Sequence, residues 1–184
     1  MKETKPGEQL SIVFERKKAH IIEVPITQEQ TEKAKKLYDF GALKDSITSG
    51  KSNIFGALGE VVFYDYFKNE NISFVSTFDY DMIINGRKVD VKTKRTAVRP
   101  KMSFLCTVAS YNTRQKCDFY FFCMVKTDFS KAYLLGYINK KEFFKKATFN
   151  KKGELDEKGN NNFHFKADCY NIDIKDLKMF SIKK

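Results

Sequence analysis

Three charged side chains, Asp81, Asp90 and Lys92, flank a predicted tight hairpin. The Asn85-Gly86 dipeptide separates two apolar runs and is a strong signal for a two-residue turn with positive φ at both positions. Counting back from this turn places Asp81 directly opposite Asp90 on the paired strands, on the face that Lys92 shares. Two carboxylates so close repel each other unless a cation offsets their charge, so this part of the sequence predicts a metal site.

The predicted site suits the hydrolysis of a phosphodiester bond. Hard carboxylate oxygens bind Mg²⁺, which keeps several waters and binds substrate phosphate oxygens, and Mn²⁺ is the expected substitute. Such an ion lowers the pKa of a bound water and offsets charge at phosphorus. Beside two carboxylates the pKa of Lys92 is expected to rise, which favours positioning and charge stabilisation over proton abstraction. The alternative is a solvated hairpin face with exposed ion pairs, each contributing about 0–1 kcal/mol.

A helix is predicted upstream of the hairpin, over residues 53–68, from apolar residues at helical spacing. Gly56, Gly59, Glu60 and Phe63 share one stripe of this helix. Each glycine costs a helix about 1 kcal/mol relative to alanine, so two of them indicate a close approach to the sheet. Because a buried carboxylate pairs with a cation or binds a metal, Glu60 is a third candidate ligand; a buried ion pair with a lysine is the alternative.

The order and spacing of these residues resemble the PD-(D/E)XK nuclease superfamily, also called restriction-endonuclease-like. Glu60 matches the helix-borne glutamate, Asp81 the motif aspartate, and Asp90-Val91-Lys92 the (D/E)XK tripeptide. Tyr80 stands where the proline that names the motif would be. The resemblance spans roughly residues 50–140 and implies a core of helix, three-stranded meander, helix and strand. The expected fold is therefore α/β, with a mixed central β-sheet flanked by helices.

Asp79 is an alternative to Asp81 for the motif aspartate, since the two side chains share a face of the predicted strand. The counted register places Asp79 opposite Lys92, where a simple ion pair would account for it. We therefore prefer Asp81, which lies beside Asp90.

The charge of the chain predicts a polyanionic partner. Its 184 residues carry a formal net charge of +11, and lysine and arginine side chains bind phosphates with release of counterions. DNA is the expected partner, although the sequence does not distinguish it from RNA. The basic and polar residues that follow the site are candidates for nucleic-acid binding, with ordinary exposed positions as the alternative: Lys94, Arg95, Arg99, Lys101, Arg114, Gln115 and Lys116.

The length fits a single domain over residues 1–184, with a core at about 50–140 and an N-terminal helical extension at about 27–48. Thr27 and Gln30 form a capping-box pattern at the start of that extension. Four cysteines without C-x-x-C spacing and two histidines do not indicate a zinc site, and free thiols fit a cytoplasmic protein of bacterial or phage origin. The longest apolar run, residues 119–125, is too short for a membrane span of about 20 residues and predicts a buried central strand.

Together these features predict a Mg²⁺-dependent endonuclease that acts on DNA and has no membrane partner. One alternative is a catalytically inactive nucleic-acid-binding module of the same fold, whose binding would be indifferent to Mg²⁺. Another is a structure-specific Holliday junction resolvase, for which a homodimer would be suitable.

Overall fold

A computed structural model of the protein describes residues 11–13, 18–40, 53–68, 71–157, 162–179 and 181–183. The strands are β1 (Ser11–Val13), β2 (Ile22–Pro25), β3 (Ile72–Phe74), β4 (Met82–Ile84), β5 (Arg87–Thr96), β6 (Leu105–Ala109), β7 (Phe119–Lys126), β8 (Lys131–Asn139), β9 (Thr148–Asn150), β10 (Cys169–Asp173) and β11 (Ser181–Lys183). The α-helices are α1 (Gln28–Phe40), α2 (Asn53–Phe67) and α3 (Lys140–Lys146). The protein is therefore a mixed α/β structure.

The main sheet has six strands in the order β2-β8-β7-β5-β4-β3. The strands β3, β4 and β5 form an antiparallel meander, β5 pairs in parallel with β7, and β8 pairs antiparallel with both β7 and β2. The predicted mixed sheet is thus confirmed. As the apolar run 119–125 indicated, β7 is a central strand that is buried along nearly its whole length.

Side-chain alternation along β7 divides the interior into two layers. Phe121, Cys123 and Val125 pack toward the layer that contains α1 and α2, whereas Tyr120 and Phe122 pack toward the layer that contains α3. The second layer also includes a three-stranded sheet of order β6-β10-β9. Because both faces of the main sheet are covered, β7 needs apolar residues at consecutive positions rather than at every second one.

The hairpin between β4 and β5 has the predicted turn and register. Asn85 and Gly86 have φ values of 49° and 74°, and Ile84 pairs with Arg87. The observed strand β4 begins at Met82, whereas the sequence predicts a strand from Tyr80 to Ile84. The amide of Asp81 still donates to the carbonyl of Val89, so backbone pairing includes one residue before the start of β4.

The capping box at the start of α1 is also confirmed. The hydroxyl of Thr27 accepts a hydrogen bond from the amide of Gln30 at 3.2 Å, and Gln30 Oε1 accepts one from the amide of Thr27 at 3.1 Å. Gln30 Nε2 in addition donates to Asp65 Oδ2 on α2 at 3.0 Å, which ties the two helices together. Residues 41–48 of the predicted helical extension lie outside the described residues.

The connection from β5 to β7, residues 97–118, has a different secondary structure from the one expected. The resemblance implied an α-helix here, but the connection contains β6 and a 3₁₀ helix, Ser110–Arg114. A parallel pair of strands requires a long crossover. In this protein the crossover supplies β6, which pairs with β10 and so covers the second face of the main sheet.

All four cysteines, Cys106, Cys117, Cys123 and Cys169, are free, as predicted, and the structure also shows them to be buried. Burial raises the pKa of Cys117, with the charge of Asp90 adding to it, to about 12, so this thiol is protonated at neutral pH. Among the helices described here, none combines the length and the apolar character that crossing a membrane requires.

Candidate metal centre

The two aspartates of the predicted site are buried. Asp81 is 7% exposed and precedes β4, and Asp90 is 2% exposed and lies on β5. Lys92 follows two residues later on the same strand, and its side chain is 17% exposed. The alternative of a solvated hairpin face is therefore wrong, because a solvated face would leave these carboxylates in water.

Asp81 is held by its backbone and by one carboxylate oxygen. Its amide donates to the carbonyl of Val89 at 3.0 Å, and its Oδ2 accepts a hydrogen bond from the amide of Val91 at 2.7 Å. Its carbonyl oxygen accepts from the amides of Val75 and Ser76 at 2.8 and 2.9 Å. The carboxylate thus bonds to the backbone of β5 just before β4 begins, which fixes it beside Asp90.

Asp90 has a different partner at each oxygen. Its Oδ2 lies 2.6 Å from Lys92 Nζ, and its Oδ1 accepts a hydrogen bond from Gln115 Nε2 at 3.2 Å. Oδ2 has this ion-pair contact but no aligned hydrogen bond. The backbone carbonyl oxygen of Gln115 accepts from Lys140 Nζ, so the main chain that carries this side chain is anchored to α3.

Glu60 reaches the site from α2, which packs closely on β5. A Cβ atom at Gly59 would lie 1.9 Å from Thr93 Oγ1, so only glycine allows this approach, as predicted. The same prediction is wrong for Gly56, where an added Cβ would meet nothing within 4 Å. Glu60 Oε2 accepts a hydrogen bond from the hydroxyl of Ser76 at 3.3 Å. Within the described residues, Glu60 forms no ion pair with a lysine.

Burial raises the pKa of all three carboxyl groups, and neighbouring carboxylates raise it further at Glu60 and Asp81. Burial, followed by the charge of Asp90, raises the pKa of Glu60 to about 7. Burial and the charges of Glu60 and Asp90 raise the pKa of Asp81 well above its usual value. Burial also raises the pKa of Asp90, although Lys92 and Gln115 oppose it. Burial alone would lower the pKa of Lys92, but Asp90 and Asp81 outweigh it and raise the pKa.

This arrangement has the donor chemistry for a divalent cation. When all three carboxylates are ionised, the Lys92 ammonium offsets one negative charge and leaves two, which equals the charge of one Mg²⁺. Carboxylate oxygens are the ligands that this ion prefers. In the described part of the chain, no three Asp, Glu, His or Cys side chains converge into a ready-formed metal cluster. The residues that would hold the ion are Asp81, Asp90 and Glu60.

The predicted nucleic-acid contacts fall into two groups. The basic residues are all exposed: Lys94, Arg95, Arg99, Lys101, Arg114 and Lys116. Of these, Arg99 lies 3.4 Å from Glu23 in an exposed ion pair. Gln115, by contrast, is 5% exposed and belongs to the interior of the site through its bond to Asp90.

Two further contacts in the site could not be read from the sequence. Ser76 contacts Glu60 because a left-handed backbone at Ser76, with φ of 49°, turns the loop after β3 toward α2. Lys140 reaches Gln115 across the fold. Asp79, the rejected alternative to Asp81, accepts a hydrogen bond from the amide of Lys116 at 3.1 Å and does not lie on a strand opposite Lys92.

The raised pKa of Glu60 predicts a pH-dependent gain in stability when this carboxyl is made neutral. Between its ordinary value of 4.5 and about 7, the folded protein holds a proton at Glu60 that the unfolded protein has released. The contribution of Glu60 to stability therefore falls as the pH rises through this window. Glu60→Gln removes the titration. The free energy of unfolding of this variant minus that of the wild type should therefore be larger at pH 7 than at pH 4.5, by about 1–3 kcal/mol.

Urea unfolding of both proteins in EDTA across this pH range measures the difference. Glu154→Gln, at an exposed carboxyl, is the control and should change the free energy of unfolding by less than about 0.5 kcal/mol, as is usual for a surface substitution. A difference for Glu60→Gln that stays constant between pH 4.5 and pH 7 would contradict the raised pKa of Glu60.

Comparison with known proteins adds no family or relative to this description. No family model matches the chain, and no curated protein shows significant similarity to it.

Proposed function

We propose that the protein is a Mg²⁺-dependent endonuclease that hydrolyses DNA phosphodiester bonds at a PD-(D/E)XK-type site. The observation that carries the proposal is the burial of Asp81 and Asp90 beside Glu60 and Lys92, an arrangement that keeps two negative charges when all three carboxyl groups are ionised. Buried carboxylates with raised pKa values are costly to the fold, and this cost is typical of sites that bind a metal or do chemistry. The Mg²⁺ ligands would be Asp81, Asp90 and Glu60, with Mn²⁺ as a substitute.

Lys92 and Gln115 have distinct roles in the proposed reaction. When bound, Mg²⁺ would supply an activated water and neutralise charge on the phosphate. Lys92 Nζ, held 2.6 Å from Asp90, donates hydrogen bonds that orient the attacking water and stabilise charge on a phosphate oxygen. Because its pKa is raised, Lys92 keeps its proton and is not the general base. Gln115 keeps Asp90 in place through the 3.2 Å hydrogen bond.

The surface and the topology also support the proposal. The exposed basic residues after the site, together with the net charge of +11, favour binding of a phosphate backbone. The order of helix α2, the meander β3-β4-β5 and the parallel partner β7 supports the proposal, whereas β6 and a 3₁₀ helix stand where such a core is expected to have its second helix.

Nicking of supercoiled plasmid tests the proposal. The purified protein should nick plasmid in Mg²⁺ and not in EDTA, and Lys92→Ala should lower the rate at least about 100-fold, as expected for loss of a charge that stabilises the transition state. Lys151→Ala, at an exposed lysine just after β9, is the matched control and should nick like the wild type. Equal nicking in EDTA, or an unaffected Lys92→Ala, would overturn the proposal.

A binding module without catalysis is the second candidate, because the Lys92–Asp90 ion pair could be purely structural. In that case the wild type would bind plasmid equally in Mg²⁺ and EDTA and leave it intact. The same experiment, read by gel retardation, therefore separates the two candidates.

A further inference from the structure

Phe78 is the most exposed aromatic ring next to the candidate metal centre. Among the described residues Phe78 is 51% exposed, more than any other phenylalanine. The carbonyl oxygen of Phe78 accepts a hydrogen bond from Gln115 Nε2 at 2.6 Å, and the same nitrogen donates to Asp90 Oδ1 at 3.2 Å. The side-chain amide of Gln115 thus joins the backbone of Phe78 to Asp90, a proposed metal ligand.

The loop that presents Phe78 is tied on both sides. The amide and the hydroxyl of Thr77 donate to the carbonyl of Tyr80 at 2.9 and 2.7 Å, and the amide of Tyr80 donates back to the Thr77 hydroxyl at 3.2 Å. Asp79 Oδ1 accepts from the amide of Lys116 at 3.1 Å. A ring on a loop fixed in this way loses little conformational entropy when it binds a ligand.

Two lysines, Lys88 and Lys116, lie next to residues of the same loop. Lys88 Nζ lies 5.1 Å from the centre of the Tyr80 ring, and Lys116 is exposed beside Asp79. An exposed aromatic ring among cationic side chains is the combination that binds single-stranded nucleic acid, because the cations follow the backbone and the ring stacks on an unpaired base. In duplex DNA the bases already stack on one another and offer no free face.

We propose that Phe78 is a stacking platform for an unpaired base, so that the site selects single-stranded or locally unpaired DNA over intact duplex. This inference rests on the proposed nuclease function for its biological meaning, but the stacking itself is independent of cleavage. The substrate would be a DNA strand whose backbone lies at the carboxylates. A neighbouring base of that strand would leave the helical stack and cover the Phe78 ring.

Binding in EDTA, where the proposed nuclease does not cleave, tests the platform. A fluorescein-labelled single-stranded oligonucleotide and the matching duplex are titrated with the wild type and with Phe78→Ala, and the anisotropy gives Kd. Phe78→Ala should weaken single-strand binding about 5- to 150-fold, the range expected for the loss of one base–aromatic stack. Duplex binding should change less than about twofold, since it depends on phosphate contacts.

Two variants complete the test. Phe78→Tyr keeps an aromatic face and should retain the wild-type preference, which shows that the ring and not the fold is responsible. Phe149→Ala, at a similarly exposed phenylalanine of β9 that packs on Tyr170, should bind both oligonucleotides like the wild type. Equal weakening of single-strand and duplex binding in Phe78→Ala, or no weakening, would overturn the proposal.

The outcomes also separate this inference from the nuclease proposal. A wild type that fails to nick plasmid while Phe78→Ala loses single-strand binding removes the nuclease and keeps the stacking platform. If the wild type nicks plasmid while Phe78→Ala binds single strands normally, the nuclease proposal stands and the stacking platform is ruled out.

Discussion

Replacing Asp81 by Asn should abolish metal-dependent cleavage and, in the same molecule, stabilise the metal-free fold. The loss of rate should be at least about 100-fold, because a carboxylate ligand is replaced by a neutral amide that Mg²⁺ binds poorly. The gain in the free energy of unfolding at neutral pH should be about 1 kcal/mol or more. One substitution would thus move activity and stability in opposite directions.

The gain has a specific physical origin. The pKa of Asp81 is raised by burial and by the charges of Glu60 and Asp90, so at neutral pH the fold must either bury a charge or take up a proton. An asparagine mimics the protonated carboxyl without that cost. Its side-chain oxygen can still accept the hydrogen bond that Val91 donates at 2.7 Å, so the local structure has no reason to change.

Plasmid nicking in Mg²⁺ and urea unfolding in EDTA measure the two effects. Asp79→Asn is the matched control, since Asp79 contacts the amide of Lys116 and not the buried carboxyls. It should keep most of the nicking and gain no stability. If Asp81→Asn were less stable than the wild type in EDTA, the repulsion that we infer among the three carboxyls would be absent.

Gly59→Ala should destabilise the protein by about 1–3 kcal/mol, although alanine is the better helix former. The added Cβ would lie 1.9 Å from Thr93 Oγ1, so α2 must move away from β5 or Thr93 must leave its position. Because Glu60 follows on the same helix, this movement should also shift a proposed ligand and lower the rate of cleavage. Urea unfolding gives the first effect and plasmid nicking the second.

Gly56→Ala is the control in the same helix. Its added Cβ meets nothing within 4 Å, so this variant should be more stable than the wild type by about 0.5–1 kcal/mol. Thr93→Ala should rescue part of the loss in the double variant with Gly59→Ala, but not all of it, because the Thr93 Cβ itself would lie 2.9 Å away. Equal stabilities of the two single glycine variants would refute the close contact.

The parts of this fold that the sequence predicted are those governed by local rules. The Asn85-Gly86 turn sets the register of the β4–β5 hairpin by itself, and the register brings Asp81 to Asp90. The capping box of α1 follows from local side-chain hydrogen bonding. The central strand β7 follows from the length of its run of apolar residues. In each case the residues that decide the structure are neighbours in the sequence.

The parts that the sequence did not predict depend on contacts between distant segments. The crossover from β5 to β7 becomes a strand because β10, more than sixty residues later, is there to pair with it. The burial of Gln115 depends on Lys140 and on the loop around Phe78, neither of which has a signature in the chain. Gly56 was misread because helical spacing shows which residues share a stripe but not how near the opposing surface lies.

The reactivity of the four buried thiols can report which part of the protein opens. Cys123 lies in the helix-side core, Cys117 in the opposite layer beside the candidate centre, and Cys106 and Cys169 on neighbouring strands of the small sheet. An alkylating reagent can reach a given sulfur only after the layer that covers it has opened. The pattern of modified cysteines would therefore show which layer opens first as the protein ages or is heated.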